Sequence, residues 1–321
     1  MAKSQLLIIS QGRTFECAVE EGVVWETKRK GSPGKLTFNV IKDEKLGFYE
    51  GDAVQFHYDG KEIFFGYVFS KKRSNNRIIS VTAYDQLRYF KNKDTYVFKN
   101  KTAAQVLQKL ASDFQLKTGI VADTKHIIPS RVEDNQELFT IMENVLSETT
   151  NYTKEIYILY DDFGSLCLRN IKELELDLLI DEQSGETFDY TTSIDDGTYN
   201  KIKLVRENKE TGRREIFIAQ DSENINNWGI LQYTDTVGEK ENGIVKADSL
   251  LKLYNLKSRK LNINQVFGDK RVRGGSKIGV YMYLGDLTVQ NYMIVDSVKH
   301  TFYESDHRMD LTLMDGGEFI A

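Results

Sequence analysis

Two prolines, two cysteines and four histidines stand among 321 residues, and each scarcity excludes something. Two prolines beside 23 glycines rule out proline-rich and collagen-like tracts. Cys17 and Cys167 lie far apart, with no CxxC or Cys/His spacing. Two buried thiols are expected rather than a disulfide. No apolar run approaches the roughly 20 residues of a membrane-spanning helix. The start, MAKSQLLIISQGRTFE, has one lysine and a short apolar run, Leu6 to Ile9. It lacks the longer apolar region and cleavage site of a signal peptide. The expectation is a chain kept in the cytoplasm, or carried out inside a larger particle. Net charge is −5 with both signs mixed, which argues against nucleic acid as the main partner.

The familiar catalytic patterns are missing too. The chain has no GxSxG, no GxxxxGK[ST], no GxGxxG and no HExxH. Gly274-Gly275 precedes a strand pattern, whereas a phosphate loop precedes a helix. His57, His126, His300 and His307 are scattered; the last two flank one predicted hairpin turn and could meet in space. No third ligand at a recognised spacing joins them, so no metal and no cofactor is expected. Asp161-Asp162 and Asp195-Asp196 are acidic pairs beside Gly turns. Paired carboxylates can hydrolyse glycosides, but adjacent aspartates in turns are ordinarily turn chemistry.

What is present is strand grammar. In GDAVQFHYDG, Val54, Phe56 and Tyr58 share one face and Gln55, His57 and Asp59 the other. Period two is a half-buried antiparallel strand. Asp59-Gly60 signals a hairpin turn into EIFFGYVFS. RIISVTAYD alternates again through Ile79, Val81 and Ala83. Residues 1–90 therefore read as an all-β unit of short strands, a small antiparallel barrel or sandwich.

The pattern changes after Asp85. In KTAAQVLQKLASDFQL, Ala103, Val106, Leu107, Leu110, Ala111 and Phe114 form a helical stripe. Thr102 and Gln105 fit a capping box. DNQELFTIMENVLSETT carries a second stripe, with Asp134 and Glu137 resembling its cap. EIYILYDDFGSLCLRN reads as a hairpin turning at Phe163-Gly164. Residues 91–175 are thus expected to be an inserted α/β domain. Residues 176–321 return to strands, a second β domain with a helical insertion near 244–260.

Two stretches echo each other. Gly51 to Asp85 and Gly275 to Asp315 each open with glycine and a small polar residue, Asp52 or Ser276. Each continues with an alternating strand, a Gly-containing turn, an apolar strand and a final alternating strand ending in Asp. Ile79, Val81 and Ala83 match Met309, Leu311 and Leu313. The preceding hairpins, ETKRKGSPGKLTFNVIKD and RENKETGRREIFIAQD, also correspond. Duplication explains the echo; so would two unrelated antiparallel meanders. Asp85 and Asp315 then mark strand ends at domain boundaries, since Asp bonds nearby backbone N–H groups.

Basic clusters Lys28-Arg29-Lys30, Lys71-Lys72-Arg73, Arg213-Arg214 and Lys270-Arg271-Arg273 fall in predicted turns. They are either solvated loop tips or a rim that meets an acidic partner.

Three strings carry a resemblance: AYDQLRYFKNKDTYVFKNKTAAQVLQKLASDFQL, TSIDDGTYNKIKLVRENKETGRREIFIAQDSENINNWGILQY and MIVDSVKHTFYESDHRMDLTL. They resemble the XkdQ/YqbQ family of phage-like tail proteins over nearly the whole chain. That family is similar to late-control D proteins, the T-even baseplate hub and the hub portion of VgrG proteins. The resemblance implies two related β-barrels flanking an α/β domain, in a homotrimer whose pseudo-sixfold ring joins the tail tube to the central spike. It implies partners among tube, spike and baseplate wedge or LysM-type tail proteins. It implies a place in a virion or tail-derived bacteriocin, and DNA only as cargo passing through. It supplies no catalytic residue. The rival readings are a tail-borne cell-wall hydrolase and a carbohydrate-binding module.

Overall fold

The computed structural model describes residues 4–42, 46–73, 77–195, 197–207, 212–238, 241–285 and 288–315. Asp196, Thr211 and Asp286, expected in turns, lie outside them. By contacts the chain divides into a larger unit, residues 1–189 and 261–321, and a smaller one, residues 190–260.

The chain opens with seven strands: β1 (Ser4–Ser10), β2 (Arg13–Glu16), β3 (Val23–Lys28), β4 (Lys35–Ile41), β5 (Ala53–Tyr58), β6 (Lys61–Arg73) and β7 (Ile78–Tyr84). Alternation decides which side chains are buried. Val54, Phe56 and Tyr58 of β5 and Ile79, Val81 and Ala83 of β7 pack into one core with Leu6, Ile8, Trp25, Leu36, Phe38 and Phe302. The β5–β6 turn has Asp59 at φ 51° and Gly60 at φ 66°, the left-handed pair that matches strand twist.

Next come β8 (Lys93–Lys101), α1 (Ala103–Asp113), β9 (Thr118–Val121), β10 (Ile128–Glu137), α2 (Leu138–Thr153), β11 (Tyr157–Asp161) and β12 (Leu166–Asn170). Thr102 and Gln105 form the expected capping box on α1. The stripes of α1 and α2 bury against each other around Leu107, Leu110, Leu138 and Ile141. The expected cap of α2 differs: 128–137 is strand, and Glu137 makes no side-chain cap bond. Asp134 instead accepts from the Thr95 hydroxyl on β8.

The rest comprises β13 (Glu175–Asp181), β14 (Thr187–Ser193), β15 (Lys201–Glu207), β16 (Arg214–Gln220), α3 (Ser222–Trp228), β17 (Gln232–Thr236), α4 (Gly243–Tyr254), β18 (Ser258–Phe267), β19 (Lys277–Tyr283), β20 (Thr288–Phe302) and β21 (His307–Asp315). In the smaller unit, β16, β15 and β17 form a three-stranded sheet. Ile202, Leu204 and Ala219 of this sheet pack with Ala247 and Leu250 of α4.

The larger unit is mainly β, but no sheet closes into a barrel among the described residues. One 13-stranded sheet runs β14-β18-β21-β20-β3-β4-β7-β6-β5-β1-β2, with β19 pairing β20 and β13. The reason is the length of β20. Its 15 residues pair β19 only up to Ile294. Its second half, Ser297–Phe302, lies antiparallel to β3. Two separate closed barrels were the expectation; the shared β20 fuses the strands into one sheet.

The two echoing stretches are three-stranded meanders in the same register. Val54 pairs Gly66 and Ile278 pairs Met293. Val68 pairs Ala83, Ser70 pairs Thr82, and Phe69 is bulged out between. Val295 pairs Leu313, Ser297 pairs Thr312, and Asp296 is bulged out between. Bulges re-aim a strand, and their position pins its register. The entry turns also match. Gly51 (φ 92°) donates to the Val68 carbonyl, and Gly275 (φ 95°) to that of Val295. The Asp52 carboxylate accepts from Tyr49 N–H as the Ser276 hydroxyl accepts from Arg273 N–H.

The preceding hairpin differs from expectation. β15 and β16 lie in the separate small sheet. The neighbours that correspond to β3-β4-β7-β6-β5 are β14-β18-β21-β20-β19. Residues 190–260 are thus inserted between the partners β14 and β18.

Candidate functional site

Asp85 follows β7 and is buried, 6% exposed. Its Oδ1 accepts from Leu87 N–H at 3.0 Å, capping the 3-10 turn Gln86–Lys91. Its Oδ2 accepts from Gly34 N–H at 2.8 Å. The Gly34 carbonyl in turn accepts from Asp85 N–H at 3.1 Å. A Cβ on residue 34 would lie 2.3 Å from Oδ2, so the turn needs glycine there. The β3–β4 turn is therefore locked onto the end of β7.

Asp161, at the end of β11, faces the same small cleft. It accepts from Gly164 N–H at 2.7 Å and the Gln86 amide at 3.2 Å. The Gln86 carbonyl oxygen takes Lys117 N–H at 3.0 Å. Arg273 reaches in from the loop before β19. It donates to the Asp161 carbonyl at 3.0 Å and the Asp162 carboxylate at 3.3 Å. Its guanidinium lies 4.4 Å from the Tyr160 ring centroid. Gly274 N–H meets the Thr27 hydroxyl at 2.9 Å. A Cβ at Gly274 would sit 2.2 Å from the Lys28 carbonyl carbon. Residues 27–34, 85–87, 161–164 and 273–274 are stitched at one point.

Burial pushes the Asp85 carboxyl well above the usual carboxylate range, and the Asp161 charge adds to it; the bonds from Gly34 and Leu87 and the charge of Arg273 oppose this. Burial also raises Asp161 to about 6, against the bonds from Gly164 and Gln86 and the charge of Arg273. Raised carboxyls in a cleft are what a hydrolase would show. Here each of the four carboxylate oxygens already holds a backbone or amide donor. Among the described residues no group of three His, Cys, Asp or Glu could hold a metal ion. The geometry is that of a joint.

His300 and His307 do meet. His300 Nδ1 lies 2.9 Å from His307 Nε2, and His300 Nε2 lies 2.9 Å from the Val272 carbonyl. Trp25, Phe302 and Tyr58 surround the pair. Burial and the neighbouring His307 lower His300 to about 3. Burial lowers His307 to about 4. Gly268 passes so close that a Cβ would touch the His307 ring.

The basic clusters do not sit wholly in turns. Lys28 closes β3, opposite Ser297. Arg29 donates its N–H to the Asp296 carbonyl at 2.8 Å and its side chain to the Asp296 carboxylate at 3.3 Å. Lys28 and Lys30 are exposed. Lys71, Lys72 and Arg73 lie on β6, because β6 continues along β7 to Arg73. Lys71 caps the Phe48 carbonyl at 2.6 Å; Lys72 and Arg73 are exposed. β4 and β7 separate β3 from β6, so these two clusters stay apart. In the smaller unit Arg213 precedes β16. Arg214, on that strand, pairs Glu207 at 2.9 Å. Of the fourth cluster, Lys270 meets Asp59 at 3.7 Å and Arg271 holds Asp269 and Asp177. Asp315 is the last residue of β21, opposite Met293. Gly34, Gln86 and Arg273 were not expected at the joint. The one sequence signal for them was the density of glycine around Gly34 and Gly274.

No helix among the described residues is long and apolar enough to cross a membrane. The fold is similar to that of phage tail proteins. The 43 kDa tail protein of prophage MuSo2 from Shewanella oneidensis superposes with a TM-score of 0.69 at 11% identity, covering 97% of this chain and 98% of that one. The E. coli c3393 protein, described as a type VI secretion component structurally similar to T4 tail proteins gp27 and gp5, gives 0.57 at 10% identity, covering 98% and 77%. The chain itself belongs to the YQBQ-like family, which it matches over residues 23–314. Phage-like element PBSX protein XkdQ of Bacillus subtilis (strain 168) is 31% identical, over 97% of each chain.

Proposed function

We propose that the chain is the structural hub of a contractile phage tail or tail-derived bacteriocin. Three copies form a pseudo-sixfold ring that joins the sixfold tail tube to the threefold spike. Its place is the baseplate of the assembled particle, after synthesis in the bacterial cytoplasm. Its partners are itself, the tube protein, the spike, and wedge or LysM-type tail proteins, with DNA passing only as cargo.

The observation that carries this reading is the pair of meanders with matching bulges, matching entry glycines and one shared sheet. Two like repeats per chain are what a threefold object needs to present six like positions. A second support is the sheet surface along β18, β21, β20 and β3. It presents Asn262, Thr312, Asp310, Lys299, Lys28 and Glu26 along one groove. Lys299 pairs Asp310 at 3.2 Å and Lys35 pairs Glu26 at 2.9 Å. Charges that neutralise one another make a polar wall with little grip on passing cargo.

In this reading residues 1–90 and 176–321 are the two barrel-like β domains and 91–175 projects outward. In the first, Cys17–Glu20 lies between β1 and β4. Cys17 N–H bonds the Leu6 carbonyl of β1 at 2.9 Å, while Val19 bridges Val40 of β4. Asp85 marks the boundary of the first domain, and Asp315 the end of the matching strand.

The exposed Lys28 and Lys30 are the contact candidates of the first cluster, since Arg29 is held by Asp296. Reversing both, Lys28→Glu with Lys30→Glu, should abolish stable tube docking in tail assembly assays while leaving the purified chain folded. Unchanged assembly would remove these two residues from the interface.

A further inference from the structure

Among the described residues the sheet contains one joint between the two repeats and, in matching positions, two open edges. The joint is β20 against β3, antiparallel, with Ser297 opposite Lys28 and Lys299 opposite Glu26. β20 can make it because its partner on that side, β19, stops at Ile294. By the shared bulge, Ser297, Val298, Lys299 and His300 of β20 correspond to Ser70, Lys71, Lys72 and Arg73 of β6. On β6 the same partner strand, β5, stops at Tyr67. Among the described residues no strand pairs the edge Ser70–Arg73 on the side away from β7. Ser70, Lys72 and Arg73 are exposed.

The other open edge belongs to β14. It ends the sheet, with β18 as its neighbour on one side only. By position in the sheet it corresponds to β3. Thr187, Phe188 and Asp189 are exposed, Phe188 by 44%.

We infer that β14 of one copy of this chain pairs antiparallel with the Ser70–Arg73 edge of β6 in the next copy. The contact repeats, between chains, the β3–β20 joint made within one chain. Charge favours this occupant. The β6 edge offers the exposed Lys72 and Arg73, and β14 and its approach offer Glu186 and Asp189. In the internal joint the same register position places Lys299 opposite Glu26. An exposed edge of unpaired N–H and C=O groups is a template for another strand. Here it has a partner of matching geometry in the same sequence. Alternation of internal and external joints carries six repeats around a ring of three chains. The inference rests on the hub reading for ring closure; the choice of edges comes from the register alone.

The test is site-specific photocrosslinking in assembled tail particles, with Lys72→p-benzoylphenylalanine in the full chain and Phe188→p-benzoylphenylalanine as an independent second variant. Both positions are exposed. Irradiation should give a covalent dimer of this chain. Peptide mapping should link residue 72 to the 187–193 segment and residue 188 to the 69–73 segment. Particles that assemble normally but crosslink elsewhere, or to another tail protein, overturn the joint and leave the hub reading standing. Absence of the unmodified chain from tail particles overturns the hub reading, and the joint with it.

Discussion

Asp85 shows how one carboxylate holds a corner. Both of its oxygens accept from buried backbone N–H groups. Asp85→Ala should leave Gly34 N–H and Leu87 N–H unpaired, at about 1–3 kcal/mol each. Asp85→Asn keeps an acceptor for one of them, so its loss in chemical denaturation should be clearly smaller. Equal losses for the two variants would contradict the capping role. Asp161 makes a pH prediction. Its folded-state pKa is raised to about 6, so its contribution is fullest below the unfolded value and declines as pH rises through about 6. The histidine pair acts with opposite sign. Lowered to about 3 and 4, it contributes stability above the unfolded value of about 6.5 and loses it on acidification. Asp161→Asn removes the first effect, takes away the charge that helps raise Asp85, and leaves the histidine pair in place. Its stability should fall more steeply than wild type between pH 6 and pH 4 in denaturation midpoints (~2 pH units); parallel curves would count against it.

At the scale of elements, the two entry glycines offer a controlled comparison. Both hold positive φ, near 92° and 95°. Around Gly51 a Cβ would meet nothing within 4 Å, whereas at Gly275 it would lie 2.5 Å from Ile158. Gly51→Ala should cost backbone strain alone, about 1–3 kcal/mol. Gly275→Ala should cost more, because the α/β stretch must also move. Equivalent urea midpoints for both would contradict the packing difference. Much of this level was legible in the sequence. Alternation and turn residues act over two to six positions, so β5–β6–β7, α1 and the register of the echo could be read directly. The partners of β14 and β18 could not. Some 70 residues intervene by the unit boundaries at 190 and 260, and a strand's pattern states which face is buried, never which neighbour it takes. The same limit applies to the joint at Asp85. Asp161 and Arg273 are distant in sequence, and only the folded sheet brings them together. The closed barrels were expected because period-two patterns are silent about strand edges. The length of β20, which alternation does not reveal, joins the two sets of strands into one sheet.

At the scale of the molecule, the duplicated meander in one sheet is the central feature. Within one chain, the repeat already makes the contact that a ring would need to make between chains. Among the described residues the β6 and β14 edges are open in matching positions. In the cleft, each oxygen of the Asp85 and Asp161 carboxylates accepts an N–H donor. The most direct measurement is an electron cryomicroscopy reconstruction of a tail baseplate carrying this chain. The account predicts three copies between tube and spike, with six meanders around the channel and β14 of each copy beside β6 of the next. A single copy, six copies, or a position outside the tube–spike junction would contradict it.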